Sequence, residues 1–359
     1  MLKVLHIINN YRQNLYRNLT VNLGNKCLQT VFILNRSYLA GDIQFSVPII
    51  SVMLNRFSYF FYRIFIPLKN KLIYNKILTE YKKDKFNLIH SHTWFSGGGA
   101  ARLLKKKKNV NYVVTIRNGD LHTIWKYYPW YRNYGIRILL DASKIICPTP
   151  TIKLKVLKRI YPKFLNEIKK KITIIPNGID SYWLNSRPRL KQYSNKIQKP
   201  IRLLFVGEIS FNKNIHSLLK LLKLLNESSR IYKLTVIGGD KKKLMNKCYR
   251  FYLELYTRLF SLPVAFVGSV VEKQELKNYY NDANIFLMVS KKETFGLTYI
   301  EAMSQGLPII YTKGQGIDRF FEDGKVGFNV LPNDLNRMKK KLIFLNKHYK
   351  HISADCIIE

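Results

Sequence analysis

Two glutamates eight positions apart, Glu293 and Glu301, lie within the run KKETFGLTYIEAMSQGLPIIYT (291–312). A glycine turn between them opens a helical stretch, Gly306 stands where a helix C-cap belongs, and Pro308 follows it. The apolar runs IFLMVS before and LPIIYT after read as buried strands. Glu293 therefore falls on a strand-to-helix loop, and Glu301 within the first turns of the helix. The amides of Gly296, Leu297 and Thr298 lie between them at a helix N-terminus, where anions bind readily. A ligand carrying both phosphates and hydroxyls, such as a nucleotide sugar, suits that combination.

The elements that must position these groups form two series. In the first half, KVLHII (3–8), TVFIL (30–34), VPIISV (47–52), NLIHSH (87–92), YVVTI (112–116), KIICPT (144–149) and ITIIPN (172–177) read as strands alternating with helical segments. Such alternation predicts a parallel sheet covered by helices on both faces. A polar stretch ending at Pro200 reads as a linker, and the pattern then restarts with IRLLFVG, KLTVIGG, VAFVG, IFLMVS and LPIIYT. The expected organisation is an N-terminal domain over 1–182, a linker over 183–200 and a C-terminal Rossmann-like domain over 201–359.

Bulk properties narrow the function classes. The 359 residues, 47% apolar, suit two globular domains and exclude a disordered chain. No apolar run is long enough to span a bilayer, and MLKVLHIINN reads as a first strand and not as a signal peptide. Four cysteines with no C-x-x-C pair argue against a disulfide framework or a zinc knuckle, and suit a cytoplasmic protein. The net charge of +39 points to a polyanionic partner. Lysine runs at 105–108, 169–171 and 241–243 spread the excess along the chain, joined to no nucleic-acid module, so an anionic membrane surface is the expected partner. The richness in Asn, Ile and Tyr also fits a compositional bias.

FVGEISFNKNIHSLLKLL, TVIGGD and then FVGSVVEKQELKNYYNDANIFLMVSKKETFGLTYIEAMSQGLPII occur in that order at ordinary spacings. The set resembles the donor domain of the retaining glycosyltransferases of the GT-B fold, family 4, and ITIIPNGID (172–180) resembles the end of that family's N-terminal domain. The resemblance implies two Rossmann-like domains with parallel sheets facing across an interdomain cleft. It also implies transfer from a nucleotide-diphosphate sugar to a glycan or lipid-linked acceptor, with no cofactor, no metal and no nucleic acid. Glu293 then faces the transferred sugar and Glu301 accepts from the ribose hydroxyls. Lys213 matches the diphosphate-binding lysine, beside Gly207 at the end of its strand. The amides of Phe295, Gly296, Leu297 and Thr298 hold the distal phosphate, while the Phe295 and Leu297 side chains read as core.

The sequence departs from that pattern in places. Glu208 follows Gly207 where many relatives carry arginine, and its charge opposes a diphosphate unless it points away or Lys291, Lys292 or Arg117 compensates. HIINNYRQN lacks the Gly-rich loop that many relatives place after the first strand. In HSHTWFSGGG, His90 reads as core and His92 as a candidate cleft residue. Their shared strand face raises a metal site, against which stands the lack of further ligands. Arg117 stands where many relatives carry histidine, and Arg117 and Asn118 are further cleft candidates. The aromatic-basic stretches 57–69 and 124–137 read as a membrane edge, an acceptor groove or sheet-covering helices. The chain stops at ISADCIIE, before the final crossover helix of many relatives. The alternatives are a basic nucleic-acid-binding protein and a homologue that binds donor without turnover.

Overall fold

The computed structural model describes residues 1–8, 14–36, 47–54, 61–62, 64–81, 85–186, 199–227, 231–240 and 244–359. The chain divides into two compact units, Met1–Asn177 and Gly178–Glu359. Of the stretch read as a linker, residues 187–198 lie outside the described ones, as do parts of the aromatic-basic stretch 57–69 and the lysine run 241–243.

Unit 1 is built on seven strands: β1 (Lys3–Ile8), β2 (Leu28–Arg36), β3 (Ile49–Leu54), β4 (Leu88–Ser91), β5 (Asn111–Thr115), β6 (Lys144–Cys147) and β7 (Ile172–Ile174). They run in the order β3-β2-β1-β4-β5-β6-β7, every neighbouring pair parallel. Unit 2 has β8 (Ile201–Val206), β9 (Tyr232–Ile237), β10 (Val264–Gly268), β11 (Ile285–Met288), β12 (Ile309–Thr312) and β13 (Gly327–Val330). Their order is β10-β9-β8-β11-β12-β13, again parallel throughout. Parallel strands need crossovers, which the intervening helices supply on the sheet faces.

The central strands are apolar for that reason. All four residues of IFLM in β11 and of IIYT in β12 are buried, since helices cover both faces. The helix Ile215–Leu225 lays Ile215, Leu218, Leu219, Leu222 and Leu225 against this sheet and leaves Lys220 exposed. Each unit has its own large core, centred on Phe205, Phe286 and Tyr299 in unit 2 and on Phe32, Tyr112 and Val114 in unit 1.

In each sheet the strand order reverses once, between β1 and β4 in unit 1 and between β8 and β11 in unit 2. Ligands of open parallel sheets bind outside the strand C-terminal ends at such a switch point, because the two flanking loops diverge there and leave a crevice.

Candidate active site

In unit 2 the loops leaving β8 and β11, the two strands at the switch point, carry Lys213 and Glu293. Their side chains meet: Lys213 Nζ donates to Glu293 Oε2 at 2.6 Å. Both are partly buried, at 19% and 15% exposure, so each offsets the other's charge in a site still open to a ligand. Asn214 fixes the lysine's position. It ends the turn Phe211–Lys213 in the left-handed region (φ 59°), and its buried amide donates to Val289 O at 3.2 Å and Pro332 O at 2.8 Å. The β8 loop is thereby tied to the chain leaving β11. The sequence signal for this residue was the second Asn of NKN, a residue type that tolerates positive φ.

Glu293 is held from its other side by the loop after β12, whose Gly316 N donates to its carbonyl at 3.1 Å, while the neighbouring Thr294 N donates to its Oε1 at 3.1 Å. The helix Leu297–Ser304 then starts from Gly296, whose φ of 84° only glycine adopts cheaply. The first amides of a helix have no partner within it, and here they follow directly after the Lys213–Glu293 pair in the chain. Phe295 is buried and packs edge-on against Phe320, and Leu297 is partly buried against the same core, as expected for those side chains. Gly207 N donates to Ile237 O at 2.9 Å, which closes the end of β8 onto β9.

Glu301 lies on the helix Leu297–Ser304 and is partly buried. It accepts from the Tyr280 hydroxyl at 3.2 Å, and its pKa is pushed up to about 7, mainly by burial. The Tyr280 bond opposes that shift, Asp180 adds to it, and Lys273 counters it from its 2.6 Å ion pair with Asp180. Tyr280, Asp180 and Lys273 were not singled out from the sequence, since each reaches Glu301 only through the fold. Glu208 Oε1 accepts from Asn246 Nδ2 at 3.0 Å, which binds its carboxylate to the helix Leu244–Leu259. Lys291 lies over the Phe211 ring, 3.5 Å from its centroid.

Comparison with known proteins fits this geometry. Residues 186–354 match the family profile described as Glycosyl transferases group 1, and residues 30–182 match Glycosyltransferase Family 4. The chain belongs to the family 4 glycosyltransferases. The alpha-monoglucosyldiacylglycerol synthase of Acholeplasma laidlawii is 27% identical over 295 residues, covering 77% of this chain and 71% of that protein. The capsular polysaccharide biosynthesis glycosyltransferase CapM of Staphylococcus aureus is 25% identical over 295 residues, with 78% and 71% covered. Among solved structures, HepE of Anabaena in complex with UDP-glucose superposes with a TM-score of 0.69 at 14% identity, covering 100% of this chain and 94% of that one. The fold is GT-B, as expected.

Unit 1 of this glycosyltransferase has its own polar site at the β1/β4 switch point. His6 Nδ1 and His92 Nε2 lie 3.1 Å apart, one donating to the other, and His90 Nε2 bonds Thr115 Oγ1 at 2.8 Å. Burial holds His6 down at about 4 and His90 at about 3, with His92 well below its ordinary value. All three rings are therefore neutral near pH 7, and their ligating nitrogens lie within 4.8 Å of one another. They are the group among the described residues whose side chains could hold a metal ion. His6 comes from β1, so the spacing of His90 and His92 alone did not disclose it. Only His6 Nδ1 with His92 and His90 with Thr115 are bonded within the cluster, and Arg117 adds a positive charge beside His90 and His92. His92, just past the end of β4, is buried and packed edge-on against Tyr16, whereas His90 within β4 is only partly buried.

Arg117 spans from His92 O (Nε, 3.4 Å) to Asn177 Oδ1 (Nη1, 3.0 Å) and borders a pocket of about 250 Å³. Tyr62, Lys69, Thr93, Asp120 and Tyr128 also line it. Asp120 accepts from the amides of Trp94, Phe95 and Arg117, which pins the β4 and β5 loops together. Asn118 Oδ1 is buried with no hydrogen-bond partner. The two aromatic-basic stretches meet here: Tyr131 donates to Ile64 O at 2.9 Å, while Trp125 is buried and Tyr127 and Trp130 are exposed.

Proposed function

We propose that this glycosyltransferase moves a sugar, with retention and without a metal, from a nucleoside-diphosphate donor held by unit 2. The acceptor is a glycan or lipid-linked saccharide of the cell surface, bound by unit 1 at the cytoplasmic membrane face. The observation that carries the reading is the Lys213–Glu293 pair at the switch point of unit 2, followed directly by a helix N-terminus. Lys213 neutralises the diphosphate as the C1–O bond to phosphate breaks, and the amides of 295–298 stabilise the same growing charge. Glu293 takes hydroxyls of the transferred sugar, and Glu301 takes both ribose hydroxyls, for which a carboxylate has enough lone pairs. The acceptor oxygen bonds to C1, and its proton passes to the departing phosphate oxygen.

The HepE complex with UDP-glucose supports a uridine diphosphate sugar as donor. The names of the Acholeplasma and Staphylococcus relatives support a lipid or polysaccharide acceptor. In unit 1 the pocket lined by Tyr62 and Tyr128 offers ring faces to a sugar, and Lys69 and Arg117 offer donors. Because Asn246 engages Glu208, this departure from the family pattern is compatible with donor binding.

A thermal-shift screen across nucleotide sugars, followed by transfer assays on each hit, tests the reading, since a specific ligand raises the melting temperature by linkage. Glu301→Ala should weaken binding of the bare nucleotide by about tenfold to a hundredfold. Glu293→Ala should spare that binding and lower turnover by on the order of 10²-fold. Bare nucleotide bound equally by both variants and the parent would refute the assignment of roles.

A further inference from the structure

The helix Leu244–Leu259 packs onto unit 2 through Asn246, Tyr249 and Leu253, all buried. Its other side carries Leu244, Cys248, Phe251, Leu255 and Leu259, spaced to form a second apolar seam along the helix. These side chains stand in solvent: Leu244 is 77% exposed, Phe251 67%, Leu255 53% and Leu259 72%. Tyr252 borders the seam on one flank at 43% exposure, and Lys247 and Arg258 stand exposed on the other. Glu254, the acidic residue of this helix, is paired with Arg250 at 2.8 Å, so the border is cationic. Phe260, just past the helix end, is partly exposed beneath Lys223, whose Nζ is 3.7 Å from its ring centroid.

An ordinary surface helix turns one apolar stripe inward and a polar face to water. This one has an apolar stripe on each side, and an exposed contiguous apolar stripe marks an interaction surface. We propose that the outer seam lies on an anionic membrane surface, with Phe251, Leu255 and Leu259 entering the acyl boundary and Lys247 and Arg258 meeting the headgroups. The inference rests on the membrane-side acceptor proposed above and assigns the contact to one element of unit 2. Its spacing would also suit a coiled-coil partner. A second copy, however, brings another net charge of +39 and is repelled, whereas anionic lipid answers both the apolar seam and the charge. Among the described residues no helix is long and apolar enough to cross a membrane.

The test is co-sedimentation of the full chain with vesicles of equal parts phosphatidylglycerol and phosphatidylcholine, compared with phosphatidylcholine alone. The parent should bind the anionic vesicles. The triple variant Phe251→Ser, Leu255→Ser, Leu259→Ser should lose at least about tenfold in partitioning. It should keep the parent's melting temperature and nucleotide-sugar shift, because its changes spare the buried face. Lys247→Gln with Arg258→Gln should weaken binding to anionic vesicles and leave phosphatidylcholine unaffected. The inference is overturned if the triple variant sediments like the parent. It is equally overturned if the parent is a dimer by light scattering that the triple variant splits, which assigns the seam to a second copy. A parent that binds nucleotide sugar and ignores vesicles refutes the membrane seam alone; one that ignores both refutes the proposed function with it.

Discussion

At the scale of single residues, the binding role proposed for Glu301 comes with a cost in stability. Burial raises its pKa from an ordinary 4.5 to about 7, so the folded chain binds more protons than the unfolded chain between those values. Stability contributed at this site is therefore full below the ordinary value and is lost as pH rises toward about 7. Glu301→Gln removes the titration, so the variant should gain in melting temperature relative to the parent as pH rises through that window. Nucleotide binding should move the other way, because only the carboxylate accepts from both ribose hydroxyls. The parent's affinity should rise up to about tenfold per pH unit below about 7 and level off above it. Calorimetric titrations and melting curves across that range check both, and a flat difference in melting temperature would show that Glu301 is not strained by burial. The proposed roles of Glu293, Glu301 and Lys213 come from spacing and order that match a known pattern, and the structure pairs Lys213 with Glu293. Asn214, Tyr280 and His6 were not, since each acts on a partner that only the strand pairing or helix packing brings near.

At the scale of elements, the strand-to-helix turn at Gly296 decides whether the site exists. A Cβ there would press into the Tyr299 ring and lie 3.3 Å from Glu293 Cγ. Tyr299 cannot easily yield, because it is buried and its hydroxyl donates to Met288 O at the end of β11. Gly296→Ala should therefore cost about 1–3 kcal/mol from positive φ and crowding together. It should also lower donor binding by displacing Glu293. Denaturant melts with and without nucleotide sugar measure both effects, and an unchanged midpoint would contradict this account of the turn. The central strands β8, β11 and β12 were legible as continuous apolar runs, the pattern that burial on both faces demands. β13 (GFNV) was not. It is four residues long and opens on Gly327, whose φ of 143° and close approach to Ile309 make sense only beside β12. The edge strand β10 shows the opposite case, a legible VAFVG whose register against β9 shifts at the exposed Val267.

At the scale of the whole molecule, the net charge of +39 needs a physical account that separates solvation from recognition. Two of the three lysine runs close helices: Lys105–Lys108 end the helix Gly98–Lys108, and Lys169–Lys171 end the helix Pro162–Lys171. Cations there complement the negative helix C-terminus, and Lys171 further pairs with Glu167 at 2.8 Å. Charges placed by that rule follow the helix ends and do not line a nucleic-acid groove. They should still draw any polyanion at low ionic strength, by counterion release alone. Binding of a short DNA duplex, followed by fluorescence anisotropy, should be measurable near 0.05 M salt. It should fall about 10³-fold or more by roughly 0.2 M, without sequence preference. Nucleotide-sugar affinity should change by less than about tenfold over the same range. The residues proposed to recognise it, Glu301, Lys213 and Glu293, are all partly buried, and such charges are screened less than exposed ones. Duplex binding that persists at physiological salt and discriminates sequence, beside a salt-labile nucleotide sugar, would reverse the assignment and restore a nucleic-acid partner as the reason for the charge.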